Sequence, residues 1–595
     1  MPTVNVDKEI LFKGLGKEFT LEEFEELCFN YGIELEEETS EREMAAKEVG
    51  ADKAKELSNR AIYRIDIPAN RYDLLCAEGI IRALSIFLEK QKPPVYKTVA
   101  APKGKVQKLF VRPETGSIRK FVVAAVLRDI HFTQDSYNSF IDLQDKLHAN
   151  ICRRRTLVAI GTHDLDTVEG PFTYEALPPK EINFIPLNQT KSMNGEELMT
   201  FYEADRKLSK FLPIIRDSPR YPVIYDSKRR VLSLPPIINS DHSKIKLTTK
   251  NVFIECTATD LTKAKVVLNT VVTMFSEYCK EQFTVETVEV VSADGKSAVY
   301  PDLSMRKFET TKDYINKLIG TDIPRDKMLT LLGKMGLTAS SGSQKSKQAI
   351  SVLVPPTRSD ILHAVDIMED VAIAYGFNNI VKTVPKAATA GAMFPINKLS
   401  DKIRRELALS GYTEVLPLIL CSHDENFKFL KKVDDNQTAV KLANPATIEY
   451  QVVRTSLLPG LLKTINSNKK LPLPLKIFEV SDIVLKDDSV ERRAKNVRRM
   501  AIVYANTKGS GFELIHGMLD RIMLMLNVPM DVTGSGNGYY IKESDNVTFF
   551  PGRRADVFYN NNKIGYLGIV HPEVCQNFDV PLAASALEID VEQFV

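Results

Sequence analysis

The sequence predicts a multidomain chain of mixed α+β and α/β architecture. Three observations carry this expectation. The chain has 595 residues, which is about four domains at roughly 150 residues each. Hydrophobic residues make up 44% and charged residues 26%, the balance of chains that bury cores, so disorder is excluded as the main state. Apolar runs of strand length alternate with helical repeats from end to end.

Bulk charge narrows the function classes. Lys plus Arg is 79, Asp plus Glu is 77, and the formal charge is +2. A basic nucleic-acid coat or an acidic tail protein would not balance this way. Contact with nucleic acid would have to come from local patches. Seven cysteines stand apart with no C-x-x-C pair, which reads as reduced thiols rather than a disulfide framework or zinc site. The start MPTVNVDKEILFKGL lacks a basic flank before an apolar run, and no stretch approaches about 18 uncharged apolar residues. The expected compartment is the cytoplasm.

The first region, 1–92, is expected to be α+β. Thr20 and Glu23 have capping-box spacing. Phe24, Leu27, Cys28 and Tyr31 follow at helical spacing, with Gly32 placed to stop the helix. Residues 36–58 are charged and read as a solvated insertion or loose helix. Ile62 to Ile67 alternates as a strand, Pro68 ends it, and Asp73 is placed to cap the helix carrying Ile80, Ile81 and Leu84. Gln91 to Pro94 reads as a linker.

The second region, 105–290, is expected to be α+β with strands from distant parts of the chain. Phe121–Leu127 and Leu157–Ile160 are apolar runs suited to strands buried on both faces. Helical patterning appears at 136–150 and 263–278. After Leu234-Pro235-Pro236-Ile237-Ile238 come four small polar or ionisable groups, Asn239, Ser240, Asp241 and His242. They supply donors and acceptors at the mouth of an apolar pair, or simply a capped turn after a stiff double proline. Gly161-Thr162-His163-Asp164 reads as a turn cap more than a metal or acid–base site.

The third region, 300–385, holds two short helices, Asp313–Leu318 and Asp326–Met335, each followed by glycine, in a helix–turn–helix-like arrangement. A strand at 351–354 stops at Pro355-Pro356. A longer helix runs from about Ile361 to Tyr375. Asp366, Glu369 and Asp370 share about a 100° arc of it, and Asp360 sits at its start. Hard oxygen ligands of this kind suit Mg²⁺. An acidic, solvated face favoured by the helix macrodipole is the alternative.

The fourth region, 394–595, has helices at 398–409, 459–466 and 513–526. Strand-like runs fall at 414–420, 475–480, 500–504, 556–558 and 564–570. Antiparallel sheet flanked by helices is expected. Arg153-Arg154-Arg155 and the run Arg492, Arg493, Lys495, Arg498, Arg499 offer phosphate contacts or plain surface charge. No G-x-x-x-x-G-K-[ST], H-E-x-x-H or G-x-S-x-G occurs. Gly534 to Gly538 reads as a loop.

Several segments together resemble one family, the β subunit of phenylalanyl–tRNA synthetase. They are Ile65 to Asp73 (IDIPANRYD), Pro355 to Asp360 (PPTRSD) with Asp366 to Asp370 and Ala374-Tyr375-Gly376, Asn444-Pro445, Val453 to Leu462 (VRTSLLPGLL), Ile477 to Val480, Pro551 to Ala555 and Gly565 to Pro572. They cover nearly the whole chain in order, and the length matches the eukaryotic cytosolic form. The resemblance implies charging of tRNA(Phe) with phenylalanine and ATP on a separate α subunit, in an (αβ)₂ assembly. The last region is then a class II synthetase-like module without catalytic signatures, serving as a docking surface. No Gly-alternating segment ending in Glu-Arg is present near the C-terminus, in keeping with that. Asp360, Asp366, Glu369 and Asp370 carry over as Mg²⁺ residues. The bacterial family's extra tRNA-binding barrel and anticodon-binding domain are not expected here.

The same resemblance makes the second region an editing domain. Tyrosine is phenylalanine plus one hydroxyl, which an apolar pocket rejects by only about 10²-fold. A second site that recognises the hydroxyl can hydrolyse Tyr-tRNA(Phe). Asn239, Ser240 and Asp241 are the expected pocket, Asp241 foremost, with Thr162 and His163 behind them. The competing functions are a metal-dependent hydrolase using the acidic cluster and a tRNA-binding scaffold without chemistry.

Overall fold

The computed structural model describes residues 2–44, 58–101, 106–342, 348–384, 386–387, 389–532 and 535–595. Parts of the charged stretch 36–58 and of the polar run 340–347, and Gly534, lie outside the described residues. The chain divides into two compact units, 1–384 and 385–595.

In the first unit, strands Thr3–Asp7 (β1), Glu34–Thr39 (β2) and Ile62–Asp66 (β3) form a sheet in the order β1-β3-β2. Helices Lys8–Leu15 (α1), Leu21–Tyr31 (α2) and Ala77–Phe87 (α3) accompany it. The capping box at Thr20 and Glu23 forms, and Gly32 ends α2 at φ 91°, a left-handed turn that costs glycine no Cβ clash. Two expectations change. Residues 34–39 are a strand, since Leu35 and Thr39 find partners along β3. Asp73 caps nothing: α3 begins later, after Cys76, and the Asp73 carboxylate is held by Arg71.

The second region is built on an eleven-stranded sheet. Its path uses Gln107–Val111 (β4), Phe121–Leu127 (β5), Val158–Asp164 (β6), Phe172–Leu177 (β7), Tyr221–Tyr225 (β8), Val231–Leu234 (β9), Ile238–Asn239 (β10), Val252–Ala258 (β11) and Thr284–Val291 (β12), in the order β10-β9-β8-β7-β4-β12-β5-β11-β6. Helices Gln134–Ala149 (α4) and Leu261–Phe275 (α5) accompany it. β11 lies between β5 and β6, with Glu255 opposite Ala124 on one side and Gly161 on the other. All seven residues of β11 are buried, so a charge within it needs a reason.

The third region has strands Arg306–Thr311 (β13), Thr338–Ser341 (β14) and Ala349–Val354 (β15), in the order β13-β15-β14. Its helices are Lys312–Ile319 (α6), Arg325–Lys334 (α7) and Ala364–Tyr375 (α8). Gly320 and Gly336 take the left-handed positions after α6 and α7, at φ 80° and 76°. The long helix starts at Ala364 rather than Ile361, because His363 caps it and Asp366 returns to the cap backbone.

The second unit holds a seven-stranded sheet. Leu475–Lys486, Ala494–Asn506, Ala583–Asp590, Asn562–Val570, Phe549–Tyr559 and Tyr539–Glu543 follow one another in antiparallel pairing, and Thr413–Glu414 adds a short parallel edge. Helices Pro395–Leu409, Leu458–Ser467 and Phe512–Met525 belong to this unit. The strand expected at 414–420 is broken: residues 415–419 are irregular, with Leu416, Leu418 and Ile419 exposed.

Candidate functional site: a buried carboxylate in a basic-rimmed cleft

The turn after α4 shapes one wall of a cleft. Arg153, Arg154 and Arg155 all take left-handed backbone, at φ 44°, 51° and 66°, a conformation that disfavours side chains with a Cβ. Buried Arg119 holds the turn by donating to Arg155 O and Thr156 O, 3.1 Å each, and to Thr257 O at 2.9 Å. Arg155 in turn donates to Pro236 O and Ile237 O and lies over the Phe211 ring. The double proline and the arginine turn, far apart in sequence, are thereby tied together.

The cleft between them has a volume of about 1020 Å³. Its apolar lining includes Ile141, Ala159, Ile160, Pro235, Pro236 and Ile237. Its polar groups include Thr162, Ser233, Asn239 and Glu255. Arg154, Arg155, Lys207, Lys210 and Lys244 add a border that is basic on balance, outnumbering Asp145 and Asp205 in the same lining. An apolar pocket with a few convergent polar groups is the common form of a small-ligand site.

Glu255 is the unusual member, at 1% exposure. Its Oε1 accepts from Ser233 Oγ at 2.8 Å, and His163 Nε2 stands 3.8 Å from the same oxygen. Its Oε2 has no hydrogen-bond partner among the described residues. Gly161 makes room for the group: a Cβ there would stand 2.1 Å from Glu255 Oε1. A buried acceptor left unpaired costs roughly 1–3 kcal/mol, and a ligand hydroxyl would recover it.

The expected pocket residues divide. Asn239 and Thr162 line the cleft, and Asn239 Nδ2 donates to Thr162 O at 3.4 Å. Ser240 faces elsewhere: its hydroxyl donates to Ile185 O and meets His242 Nδ1 at 2.8 Å. Asp241 lies outside the lining, accepting from Asn188 N at 2.9 Å and Lys244 Nζ at 2.8 Å. Those bonds hold its carboxyl below the usual range, the Lys244 bond first and the Asn188 N–H next. Both partners line the cleft, so Asp241 bears on it at second hand. His163 is buried behind Glu255, with Ser243 Oγ 2.9 Å from Nδ1. Asp164 caps the turn that follows, accepting from Asp166 N. Sequence reading missed Glu255 and Ser233. One signal was available: Glu255 is the only charge in Val252 to Ala258, a run otherwise fit for burial.

The acidic cluster of the third region is drawn together but spent unevenly. Arg358, buried, donates from Nε to Asp360 Oδ1 at 3.0 Å, and from Nη2 to Asp360 Oδ2 at 2.8 Å and Asp370 Oδ1 at 2.9 Å. Burial pushes the Asp370 carboxyl up against the pull of Arg358, while beside the same guanidinium Asp360 is held low. Asp366 Oδ2 accepts from Leu362 N and His363 N at 2.8 Å each. Glu369 is exposed; partial burial, then the charges of Asp370, Asp366 and Asp360, push its pKa up. Among the described residues no three His, Cys, Asp or Glu side chains group so as to hold a metal ion. Asp360 and Asp370, neutralised and buried, do not fit Mg²⁺. Asp366 and Glu369 fit its habit of taking one or two carboxylates and keeping waters.

A second Arg-x-Asp pair lies alongside. Arg71 forks onto Asp73 at 2.9 and 2.8 Å and donates to Tyr31 OH at 2.8 Å. Arg71, Asp73, Tyr31 and Arg358 line one small cavity of about 50 Å³. Of the basic run near the end of the chain, Arg499 is no free surface charge: it pairs with fully buried Glu588 at 2.9 Å.

Comparison with known proteins decides the family. Four family models match in succession: the Phe-tRNA synthetase beta subunit B1 domain over 1–90, the B3/4 domain over 125–281, the tRNA synthetase B5 domain over 308–377, and the phenylalanyl tRNA synthetase beta chain CLM domain over 380–591. The phenylalanine–tRNA ligase beta subunits of Drosophila melanogaster and Homo sapiens are each 53% identical, over 596 and 599 residues, with all of both chains covered. The chain belongs to the phenylalanine–tRNA ligase beta-subunit family. The Arabidopsis thaliana relative, whose name carries the word cytoplasmic, is 52% identical over 600 residues, again covering both chains fully. An N-terminal fragment of the beta subunit from Pyrococcus horikoshii is similar in structure, with TM-score 0.55 and 32% identity, covering 63% of this chain and 99% of the fragment. The cleft and Glu255 fall inside the B3/4 match, and the Arg358–Asp370 cluster inside the B5 match. No described helix is long and apolar enough to cross a membrane.

Proposed function

We propose that this chain is the cytoplasmic beta subunit of a phenylalanine–tRNA ligase that edits. It supports ATP-dependent charging of tRNA(Phe) by a separate alpha subunit and hydrolyses mischarged Tyr-tRNA(Phe) in the cleft beside Glu255. The carrying observation is Glu255, a buried carboxylate that lines the cleft and whose Oε2 has no hydrogen-bond partner among the described residues. Phenylalanine offers that oxygen nothing, while tyrosine offers one O–H. A site built to hydrogen-bond a hydroxyl rejects the analogue lacking it far more strongly than an apolar pocket rejects the hydroxyl. The basic border suits the phosphates next to the aminoacyl end. Asp241, with Asn188 and Lys244, shapes that border, and Asn239 and Thr162 supply donors and acceptors to the ester or to an attacking water.

The finer architecture belongs to the same reading. Four parts, 1–92, 105–290, 300–385 and 394–595, act as N-terminal, editing, helix–turn–helix-like and class II synthetase-like modules. The last docks the alpha subunit in an (αβ)₂ assembly, a role for which exposed Leu409, Leu416, Leu418 and Ile419 are suited. Mg²⁺ would be held through Asp366 and Glu369, completed by water or the alpha subunit, and would neutralise that acidic face.

The test uses the ligase co-purified with its alpha subunit. Phenylalanine-dependent ATP–pyrophosphate exchange is expected in the complex and not in this chain alone. Glu255→Gln is expected to slow Tyr-tRNA(Phe) deacylation by about 10²-fold or more and leave exchange intact. Unchanged deacylation would overturn the assignment.

A further inference from the structure

Glu255 has two oxygens, and the fold treats them differently. Oε1 is taken by Ser233 Oγ at 2.8 Å, from β9, a strand distant from β11 in the sheet order. His163 Nε2 approaches the same oxygen at 3.8 Å, from the neighbouring strand β6. Oε2 is left without a hydrogen-bond partner among the described residues. Ser233 is 1% exposed and Glu255 1% exposed, so neither group is turned by bulk water. A carboxylate on a flexible stem turns freely about its last torsion. One short bond to a hydroxyl on a separate strand stops that rotation.

We propose that Ser233 is a specificity-determining positioning residue of the editing site. It occupies Oε1, fixes the carboxylate plane, and presents Oε2 alone to the substrate hydroxyl. This rests on the reading that Glu255 recognises tyrosine. Without Ser233, Glu255 has two equivalent oxygens and a rotor. The hydroxyl then binds in several poses, and its ester is less often aligned for attack. The loss falls on tyrosine over phenylalanine, since phenylalanine makes no use of Oε2. His163 backs the arrangement: Ser243 holds its Nδ1, which leaves Nε2 as the ring nitrogen turned to Glu255.

The experiment compares the assembled ligase with its Ser233→Ala, Ser233→Thr, Glu255→Gln and Ser233→Ala/Glu255→Gln variants. The readout is the ratio of kcat/KM for deacylating Tyr-tRNA(Phe) over Phe-tRNA(Phe), with aminoacylation and the melting temperature measured alongside. Ser233→Ala is expected to lower the ratio about tenfold, the worth of one hydrogen bond, with aminoacylation unchanged. Ser233→Thr, which keeps the hydroxyl, is expected to recover most of it. In the Glu255→Gln background, Ser233→Ala is expected to change nothing further. An unchanged ratio in Ser233→Ala beside a reduced one in Glu255→Gln overturns the positioning role and leaves the editing reading standing. A normal ratio in Glu255→Gln overturns both. A loss in Ser233→Ala that adds fully to that of Glu255→Gln, or comes with a fall in melting temperature, marks a merely structural role and overturns the proposal.

Discussion

Replacing Arg358 with methionine should open the third region without unfolding the rest of the chain. Arg358 is 4% exposed. It donates three bonds to Asp360, one to Asp370 and one to Met335 O, at 2.8–3.2 Å. Methionine keeps the length of the stem and removes every donor. Asp360 and Asp370, with side chains 8% and 4% exposed, then lose their counter-charge. Breaking a buried pair by deleting one partner costs about 3–5 kcal/mol. At about 1.4 kcal/mol per factor of ten, local opening becomes roughly a hundred- to a few-thousand-fold more frequent. Hydrogen exchange followed by mass spectrometry reads this on the peptides spanning 349–354 and 364–375. Those amides should lose two to three orders of magnitude of protection, while β5 and β11 keep theirs. Arg358→Lys, which retains the charge and loses the fork, should fall between. Added Mg²⁺ should not restore protection in Arg358→Met. Protection within about threefold of the parent would refute the energetic argument, and recovery in millimolar Mg²⁺ would return Asp360 and Asp370 to the metal.

Other expectations follow from single sites. Gly161→Ala forces Glu255 from its seat, because the new Cβ would stand 2.1 Å from Oε1; Tyr-tRNA(Phe) deacylation should fall about a hundredfold with aminoacylation retained, and normal editing would contradict the geometry. Glu479 is buried against Arg454, yet burial outweighs that pairing and pushes its pKa up to about 7. A pKa above the unfolded value means stability fully present below about pH 4.5 and lost as pH rises through 7, at most about 3 kcal/mol. Glu479→Gln should flatten the fall in stability of the second unit between pH 5 and 8, measured by urea unfolding at several pH values. All seven cysteines are free and buried, and burial pushes Cys28, Cys152, Cys279 and Cys421 up to about 12. A thiol reagent at pH 8 should therefore titrate none quickly in the native chain and all seven in denaturant. Glu369→Gln should weaken Mg²⁺ binding in calorimetry, and Asp360→Asn should act through stability instead.

Helices were legible in the sequence because their signals are local. Thr20 with Glu23, Gly320, Gly336 and Gly376 mark ends that the structure keeps within a few residues. Strands were less so, since pairing partners lie far apart. Glu34–Thr39 looks solvated in sequence because its apolar face is a single leucine, and it is a strand only because β3 accepts it. The cleft suffered most. Ser233, Glu255 and Gly161 come from three strands, and nothing in 233 or 161 announces a carboxylate opposite. Asn239 to Asp241 looks right in sequence because polar groups cluster there, but a distant segment takes two of the three: Ser240 donates to Ile185 O and Asp241 accepts from Asn188 N.

The two carboxylate clusters differ in what reaches them, and that separates structure from function. Arg71-Tyr72-Asp73 and Arg358-Ser359-Asp360 share one local device, an arginine forked onto the aspartate two residues on. They meet across one small cavity. Every acid there has an arginine as counter-charge, including Asp370, whose Oδ2 makes no hydrogen bond among the described residues but lies 2.9 Å from Arg358 Nη2, so these acids serve the joint between the first and third regions. Glu255 is equally buried, but the hydroxyl at Oε1 and a histidine at 3.8 Å leave Oε2 unmet. Burying an unmet acceptor is a standing cost, and such a cost persists where the surroundings over-determine it. Gly161 and the arginine turn do that here: one clears space for the carboxylate, the other closes the cleft around it. Asp370 and Glu479 also carry an unbonded buried oxygen, but each is ion-paired with an arginine, Arg358 and Arg454; Glu255 has no arginine or lysine at that distance among the described residues, and it is the acid to assign to a substrate.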